Sequence, residues 1–149
     1  MNVTGTIESI MNHKPQEVWS VTPEATVYDA IAMMADKNVG ALLVVKEGEL
    51  VGILSERDYT RKVMLRGKRS RETLVSEIMS TDLTTVDPKQ PVDDCLRSMT
   101  QKRIRHLPVV KKGEICGVIS IGDLVKHVIS VQGAAIDQLE RYISGGYVN

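Results

Sequence analysis

The chain has 149 residues, of which 42% are hydrophobic and 26% charged, and its 19 Lys and Arg residues balance its 19 Asp and Glu residues. This composition is that of an ordinary globular protein and excludes an intrinsically disordered chain. The zero formal charge, with one Trp, four Tyr and no Phe, argues against nucleic-acid binding, which usually needs a basic face or aromatic stacking platforms.

Neither a membrane span nor a signal peptide is predicted. No apolar run approaches the roughly 18 residues that a membrane span needs, and the opening MNVTGTIESIMNHK lacks the charged and apolar parts of a signal peptide. Cys95 and Cys116 lie in apolar periodic segments without metal-ligand spacing, so we expect two reduced thiols. We therefore expect a cytoplasmic protein with no membrane partner and no metal site.

An internal repeat organises the chain. Residues 21–63 align without a gap with residues 86–128, and 16 of the 43 pairs are identical. Two copies are too few for a solenoid and are typical of a pseudo-symmetric pair in which each copy covers the apolar face of the other. We predict a first repeat with an N-terminal lead-in helix over 6–65, a linker over 66–74, a second repeat over 75–130, and a C-terminal helix and tail over 131–149.

Each copy predicts the element order β-α-β-β-α. A short β segment, at 19–21 and again at 84–86, precedes a helix with apolar residues at helical spacing. These residues are Val27, Ala30, Ile31 and Met34 in repeat 1 and Val92, Cys95, Leu96 and Met99 in repeat 2. Two apolar runs joined by a short connection that contains Gly then predict a hairpin, at 41–54 and 106–119. A second helix is predicted to begin at Ser55 and at Ser120.

Two further segments leave alternatives open. A basic cluster after the first repeat's hairpin is either a solvated linker face or a contact for polyphosphate or an acidic partner; it comprises Arg61, Lys62, Arg66, Lys68, Arg69 and Arg71. A helix predicted over 134–143 carries Ile136, Leu139 and Ile143 on one face and is expected to stop at Gly145-Gly146. This helix packs either on the core of its own chain or at a dimer contact.

The segments Gly52–Asp58 and Gly117–Asp123 are the main candidates for chemistry. In each, a strand ends at a Ser, and an Asp follows three residues later at a helix start. One interpretation is a helix cap, in which the two side chains satisfy free backbone N–H groups. The other is a nucleoside phosphate pocket: the helix N-terminus and Ser attract phosphate, the carboxylate accepts from ribose hydroxyls, and aliphatic side chains hold the base. Recurrence of the pattern in register favours the pocket.

The duplicated elements, the strand Leu107-Pro108-Val109-Val110 and the paired segments resemble a tandem CBS (cystathionine-β-synthase) domain pair, or Bateman module, of the stand-alone bacterial type. The resemblance covers about residues 6–130. It implies an α+β fold in which two pseudo-symmetric β-α-β-β-α repeats pack sheet to sheet, with the helices outside. It also implies two clefts, each for an adenosine-containing ligand.

The resemblance also implies site residues. Asp58 and Asp123 would bind ribose, and Ser55 and Ser120 would bind phosphate. The base would be lined by residues around the first hairpin strand of each copy, with weaker candidates in the stretches 12–15 and 80–82; together these are Gly40, Ala41, Leu42, Arg105, His106, Leu107, Lys14 and Thr81. Arg57 adds a cation to the first motif, where the second has Gly122. Arg105 and His106 are potential cations where the first copy has none. If they face a cleft, the two sites should differ in how much phosphate charge they tolerate; the sequence leaves open whether that cleft belongs to their own copy or to the other.

The function implied is that of a regulatory sensor of AMP, ADP, ATP or NAD(H), which acts by ligand-dependent reorientation of the two repeats. The partner would be an enzyme or transporter regulated in trans, and a homodimer is expected. We do not expect an enzyme, since neither Ser has a His base nearby in sequence and no Walker A loop, dinucleotide fingerprint or metal cluster occurs. The alternative is a structural dimerisation module without ligand, whose Ser-x-x-Asp segments are only helix caps.

Overall fold

The computed structural model describes residues 5–13 and 17–148, with side chains as far as residue 142, and its elements follow the predicted α+β order. In chain order they are α1 (Ile7–Met11), β1 (Ser20–Val21), α2 (Val27–Lys37), β2 (Ala41–Lys46), β3 (Glu49–Ser55), α3 (Glu56–Tyr59), a π-helical turn (Thr60–Met64), a 3-10 turn (Ser70–Glu72), α4 (Val75–Ile78), α5 (Val92–Lys102), β4 (His106–Lys111), β5 (Glu114–Ser120) and α6 (Ile121–Val148).

The chain forms two compact units whose limits differ from those of the sequence repeats. The middle unit is Glu17–Thr85, and the outer unit joins Met1–Gln16 to Val86–Asn149. In the outer unit, Ile7, Ile10 and Met11 of α1 share a buried core with α5 and the β4–β5 hairpin. In the middle unit, α4 shares a core with α2 and the β2–β3 hairpin. Each short lead-in helix therefore packs on the body of the other sequence repeat.

The two units have corresponding sheets of unequal size. In the middle unit β1 is parallel to β2, which forms an antiparallel hairpin with β3; in the outer unit β4 and β5 form the same hairpin. The strand predicted at 84–86 is reduced there to one parallel bridge, between Val86 and Val109. The physical reason is Pro108. Its counterpart Leu43 donates its N–H to the Trp19 carbonyl (3.2 Å), and proline has no N–H to donate.

The predicted hairpin connections are confirmed as two-residue turns. Glu47 and Gly48 have φ values of 52° and 81°, and Lys112 and Gly113 have 51° and 80°. Two successive residues with positive φ are the signature of a type I′ turn, whose twist matches that of antiparallel strands. The turns thereby fix the register that places Ser55 opposite Ala41 and Ser120 opposite His106.

The motif glycines Gly52 and Gly117 leave room for a methionine from the lead-in helix segment. A methyl group at Gly52 would lie 2.7 Å from Met79 Sδ and 3.1 Å from the Ser80 carbonyl oxygen. A methyl group at Gly117 would overlap the terminal methyl of Met11. The same glycine position therefore lets α4 dock in the middle unit and α1 dock in the outer unit.

The C-terminal part of the chain differs from the prediction. The helix predicted to begin at Ser120 and the helix predicted over 134–143 are one continuous helix, α6, which passes Gly145-Gly146 and ends at Val148. No proline interrupts residues 121–148, and glycine lowers the stability of a helix by much less than proline does. The interpretation that this segment packs on its own core is wrong for Ile136 and Leu139, which are 56% and 58% exposed.

The substitutions Gly52→Ala and Gly117→Ala should differ in their effect on stability. Gly52→Ala meets both Met79 and rigid backbone at Ser80, so we expect the free energy of unfolding to fall by about 1 to 3 kcal/mol. Gly117→Ala meets only the flexible end of Met11, so we expect a loss of less than about 1 kcal/mol. Urea denaturation measures both, and Met79→Ala should recover part of the Gly52→Ala loss in a double-mutant cycle. Equal effects at the two glycines would contradict the contacts described.

Cys95 should make stability depend on alkaline pH. Its side chain is fully buried in the outer unit, and burial raises the pKa of the thiol from 9.0 to about 11. Between about pH 9 and 11 the unfolded chain releases a proton that the folded chain keeps, so this contribution is complete below pH 9 and is lost as the pH rises. The slope is at most about 1.4 kcal/mol per pH unit. Urea titrations from pH 8 to 11 should show a steeper decline for the native chain than for Cys95→Ala, and parallel declines would contradict the assignment.

Candidate functional site

The junction of β3 and α3 holds Ser55 and Asp58 in a reciprocal pair. Ser55 is the last residue of β3 and caps α3, and its Oγ accepts a hydrogen bond from the Asp58 N–H at 3.2 Å. In return, Asp58 Oδ2 accepts from the Ser55 N–H at 2.9 Å and from Ser55 Oγ at 3.1 Å. This is a capping box, so the helix-cap interpretation of the motif is correct as far as local structure goes. The same bonds fix the carboxylate at the end of the strand.

Lys62 completes the surroundings of the Asp58 carboxylate. Its Nζ lies 3.2 Å from Asp58 Oδ1 and donates to the Ile78 carbonyl at 2.9 Å. The Asp58 side chain is only 16% exposed, so this ion pair is less screened by solvent than a surface pair. Lys62 was expected only as a member of the basic cluster. The Asp-x-x-x-Lys spacing at i, i+4 was the sequence signal for the pairing.

The junction of β5 and α6 repeats the capping geometry with different neighbours. Ser120 donates its N–H to Asp123 Oδ2 at 2.8 Å, and Asp123 donates its N–H to Ser120 Oγ at 3.1 Å. The residue corresponding to Lys62 in the aligned repeats is His127. The second junction therefore has the same backbone arrangement and a different titratable group one turn along the helix.

The residues that precede the first hairpin strand are joined to each junction by backbone bonds. The Gly40 carbonyl accepts from the Glu56 N–H at 3.0 Å, and the Arg105 carbonyl accepts from the Ile121 N–H at 2.8 Å. Ala41 and His106 lie directly opposite Ser55 and Ser120 in the two hairpins. The structure thus brings Gly40 and Ala41 to Ser55, and Arg105 and His106 to Ser120.

The other predicted site residues differ in burial and in their distance along the chain from the two junctions. Leu42 and Leu107 are fully buried in the cores of their units. Arg57 is half-buried at the first junction. Thr81 is exposed, and because the Ile53–Ser80 bridge is antiparallel, the chain runs from Ser80 to Thr81 towards Gly52 and away from Ser55. Lys14 lies outside the described residues. In the outer unit, Arg105 is exposed and His106 is half-buried.

A surface pocket of about 230 Å³ lies beside the first junction. It is lined by Ile31, Met34, Ala35, Asn38, Val39, Gly40 and Glu56. Gly40 is the one predicted site residue in this lining, and Ser55 and Asp58 are not part of it. Among the described residues, no three His, Cys, Asp or Glu side chains group as metal ligands. No described helix has the length and hydropathy needed to cross a membrane.

The chain is similar to CBS-domain proteins along nearly its whole length. A family model for the CBS domain matches residues 7–65 and 75–130. The CBS domain-containing protein CBSX3, mitochondrial, of Arabidopsis thaliana is 42% identical over 152 residues, which cover 95% of this chain and 73% of the relative. A CBS-domain protein structure from Burkholderia ambifaria MC40-6 is 48% identical with a TM-score of 0.82, and the match covers 84% of this chain and 94% of the other.

The fold is also shared with a more distant CBS domain pair. The CBS domain pair of protein MJ0100, whose structure is a complex with 5′-methylthioadenosine and S-adenosyl-L-methionine, has a TM-score of 0.72 and 23% identity. The match covers 81% of this chain and 93% of that one.

Removal of either capping hydroxyl should weaken its unit. Ser55→Ala and Ser120→Ala each leave an Asp N–H at the helix start without its acceptor, and we expect each to lower the free energy of unfolding by about 1 kcal/mol. Urea denaturation monitored by circular dichroism measures this loss. Ser130→Ala, at an exposed position inside α6, is the matched control and should change stability by less than about 0.5 kcal/mol. A loss no larger than that of Ser130→Ala would show that the capping bonds contribute little.

Proposed function

This chain belongs to the CBS-domain family, and we propose that it is a regulatory module that binds an adenosine-containing ligand at its two strand-to-helix junctions. The observation that carries the proposal is the recurrence of one constellation in both units. In each, a Ser–Asp capping pair, the opposing first residue of the hairpin and a backbone bond to the preceding residue are held in the same register. A helix cap alone would need only the Ser and the Asp. It would not need the opposing strand residue and the backbone bond to be the same in both units.

The Asp carboxylates are the proposed ribose acceptors. A carboxylate oxygen has two acceptor sites. Asp58 Oδ1 is in contact with Lys62 through an ion pair and not through the capping bonds, which use Oδ2. A ribose hydroxyl can therefore bind Oδ1 beside Lys62 without breaking the cap. Ser55 and Ser120 are the proposed phosphate-binding residues, because each has a hydroxyl at a helix start, where the helix dipole favours an anion.

The two junctions should prefer different phosphate charges. The first has Lys62 against the carboxylate and Arg57 half-buried inside the motif. The second has Gly122 in place of Arg57, and its nearby cations come from the strand side, at Arg105 and His106. Because the basic residues reach the two junctions from different elements, the two sites should differ in how much phosphate charge they tolerate.

The ligand class, the mode of action and the assembly belong to the same proposal. The adenosine compounds bound by the CBS domain pair of MJ0100 support the adenosine class, and AMP, ADP, ATP and NAD(H) are the candidates for this chain. The ligand acts by changing the arrangement of the repeats, which requires different affinities for two arrangements. The output is regulation of an enzyme or transporter in trans, by a cytoplasmic homodimer. A structural dimerisation module without ligand is the competing function, and the capping boxes are the observation that favours it.

A thermal-shift panel tests the ligand. AMP, ADP, ATP, NAD+, NADH and S-adenosylmethionine are compared with GTP, on folded protein freed of nucleotide. A compound at about 100 times its dissociation constant should add roughly 2.7 kcal/mol per site to the free energy of unfolding. For a chain of this size, that raises Tm by on the order of 5 to 10 °C. A shift confined to adenosine compounds supports the proposal, and a flat response across the panel supports the structural module.

Asp58→Asn and Asp123→Asn then locate the site. The amide oxygen of Asn can still accept a hydrogen bond from the Ser N–H, so both variants should stay folded while the shift from the binding compound is lost or halved. Asp29→Asn is the matched control, because Asp29 occupies the same position relative to the cap of α2 and lies outside the proposed site. If these variants keep the full thermal shift, the ligand binds somewhere other than the two junctions.

A further inference from the structure

Helix α6 carries an exposed apolar face along most of its length. Val125, Ile129, Ile136 and Leu139 are 46%, 63%, 56% and 58% exposed. The helix has 28 residues and is about 42 Å long. Its core contacts come from the adjoining side of the helix: Leu124 is fully buried, and Ile121 and Val128 pack against the same core. The exposed face therefore remains available along the helix after α6 has docked in its own unit.

The spacing of this face is that of a coiled-coil seam. Counted along the chain, the positions alternate by four and three residues, which is the a/d pattern of a heptad repeat. The seam is Val125, Ile129, Gln132, Ile136, Leu139 and, by sequence, Ile143. A pattern with a 3.5-residue period is suited to a second helix of matching pattern.

We propose that this seam pairs α6 with α6 of a second copy of this chain, in the antiparallel direction. An antiparallel pair matches each a position with a d position of the second helix. With the twofold axis at residue 134, Ile129 lies opposite Leu139, Val125 opposite Ile143, and Gln132 opposite Ile136. Every seam residue then has a seam partner, so the face is complementary to itself.

Charge and side-chain size favour this direction over a parallel one. In the antiparallel register, Lys126 lies opposite Glu140 of the second copy, twice in each dimer, and Gly133 and Ala135 meet their own counterparts at the centre. Small residues at the centre let two helices approach closely, and opposite charges beside the seam set orientation. In a parallel pair, Ala135 would lie beside Glu140 of the second copy, and Val128 would lie beside its Gly133. Neither of these flanking pairs joins opposite charges.

A second copy fits this face better than a membrane surface. Helices that bind the membrane interface carry Lys and Arg on the polar face. Away from the seam, the described residues from Ser130 onward include one cation, Arg141, against Asp137 and Glu140. That polar face has no excess positive charge for anionic lipids.

Cysteine cross-linking tests the direction. In a Cys116→Ser background, chains with Ile129→Cys are mixed with chains that carry Leu139→Cys and oxidised mildly. A disulfide dimer of the mixture, absent from Leu139→Cys alone, supports the antiparallel pair, since two copies of residue 139 would be about 15 Å apart along the helices. A disulfide from Leu139→Cys alone, from both samples or from neither would overturn it.

Sedimentation velocity over a concentration series tests the seam itself. Ile136→Lys should raise the dimer dissociation constant at least tenfold, and Ala134→Lys, on the opposite side of the same helix, should leave it unchanged. Lys126→Glu and Glu140→Lys should each raise it roughly fivefold or more, and their combination should restore it. Equal behaviour of Ile136→Lys and Ala134→Lys would refute the seam. None of these residues belongs to the proposed ligand junctions, so failure here leaves the ligand panel to be judged separately.

Discussion

The close approach of a methionine to a strand glycine is the constraint around which each unit is built. Met79 reaches Gly52 and Met11 reaches Gly117 because those positions have no side chain. The glycine is the first residue of the segments Gly52–Asp58 and Gly117–Asp123, and the capping Ser is the fourth. The same short stretch of chain therefore contacts the lead-in segment with its first residue and caps the following helix with its fourth. Core packing and the placement of the carboxylate are consequently coupled within seven residues.

Duplication preserved this backbone and changed the side chains around it. The two hairpins share turn geometry, register and an irregularity at the same place, after Val44 and after Val109. The side chains on this shared backbone differ: Pro108 in place of Leu43 shortens one sheet, and His127 stands at the aligned position of Lys62, one helical turn beyond the Asp. A duplicated scaffold of this kind can hold two chemically different junctions, because backbone hydrogen bonds position the Ser and Asp whatever residues surround them.

Local sequence patterns predicted most of the helices and strands. They did not predict that each lead-in helix packs on the body of the other sequence repeat. Helical spacing located α2 and α5, and Gly48 and Gly113 marked the turns. The lead-in helices could not be assigned to their cores, because Ile7, Ile10 and Met11 have the same apolar spacing whichever hairpin they join. Gly145-Gly146 was interpreted as a stop although α6 continues through it. For the candidate site, the repeat identified the Ser–Asp pairs. The i, i+4 spacing of Asp58 and Lys62 also indicates their ion pair. The burial of Leu42 and Leu107 depends on strand register and core packing, which composition does not reveal.

The exchange of lead-in helices has a consequence for synthesis on the ribosome. All of the middle unit lies between residues 17 and 85, so it can fold as soon as that stretch has emerged. The outer unit needs residues 5–13 together with elements that begin at residue 92, and α1 must therefore wait, with Ile7, Ile10 and Met11 exposed, while about 80 intervening residues are translated. At about 5 to 20 residues per second, that interval lasts at least about 4 to 16 seconds, and translation of α5 and the β4–β5 hairpin lengthens it further. During this time the waiting segment is a natural target for a chaperone, and for the unfilled groove of a neighbouring nascent copy.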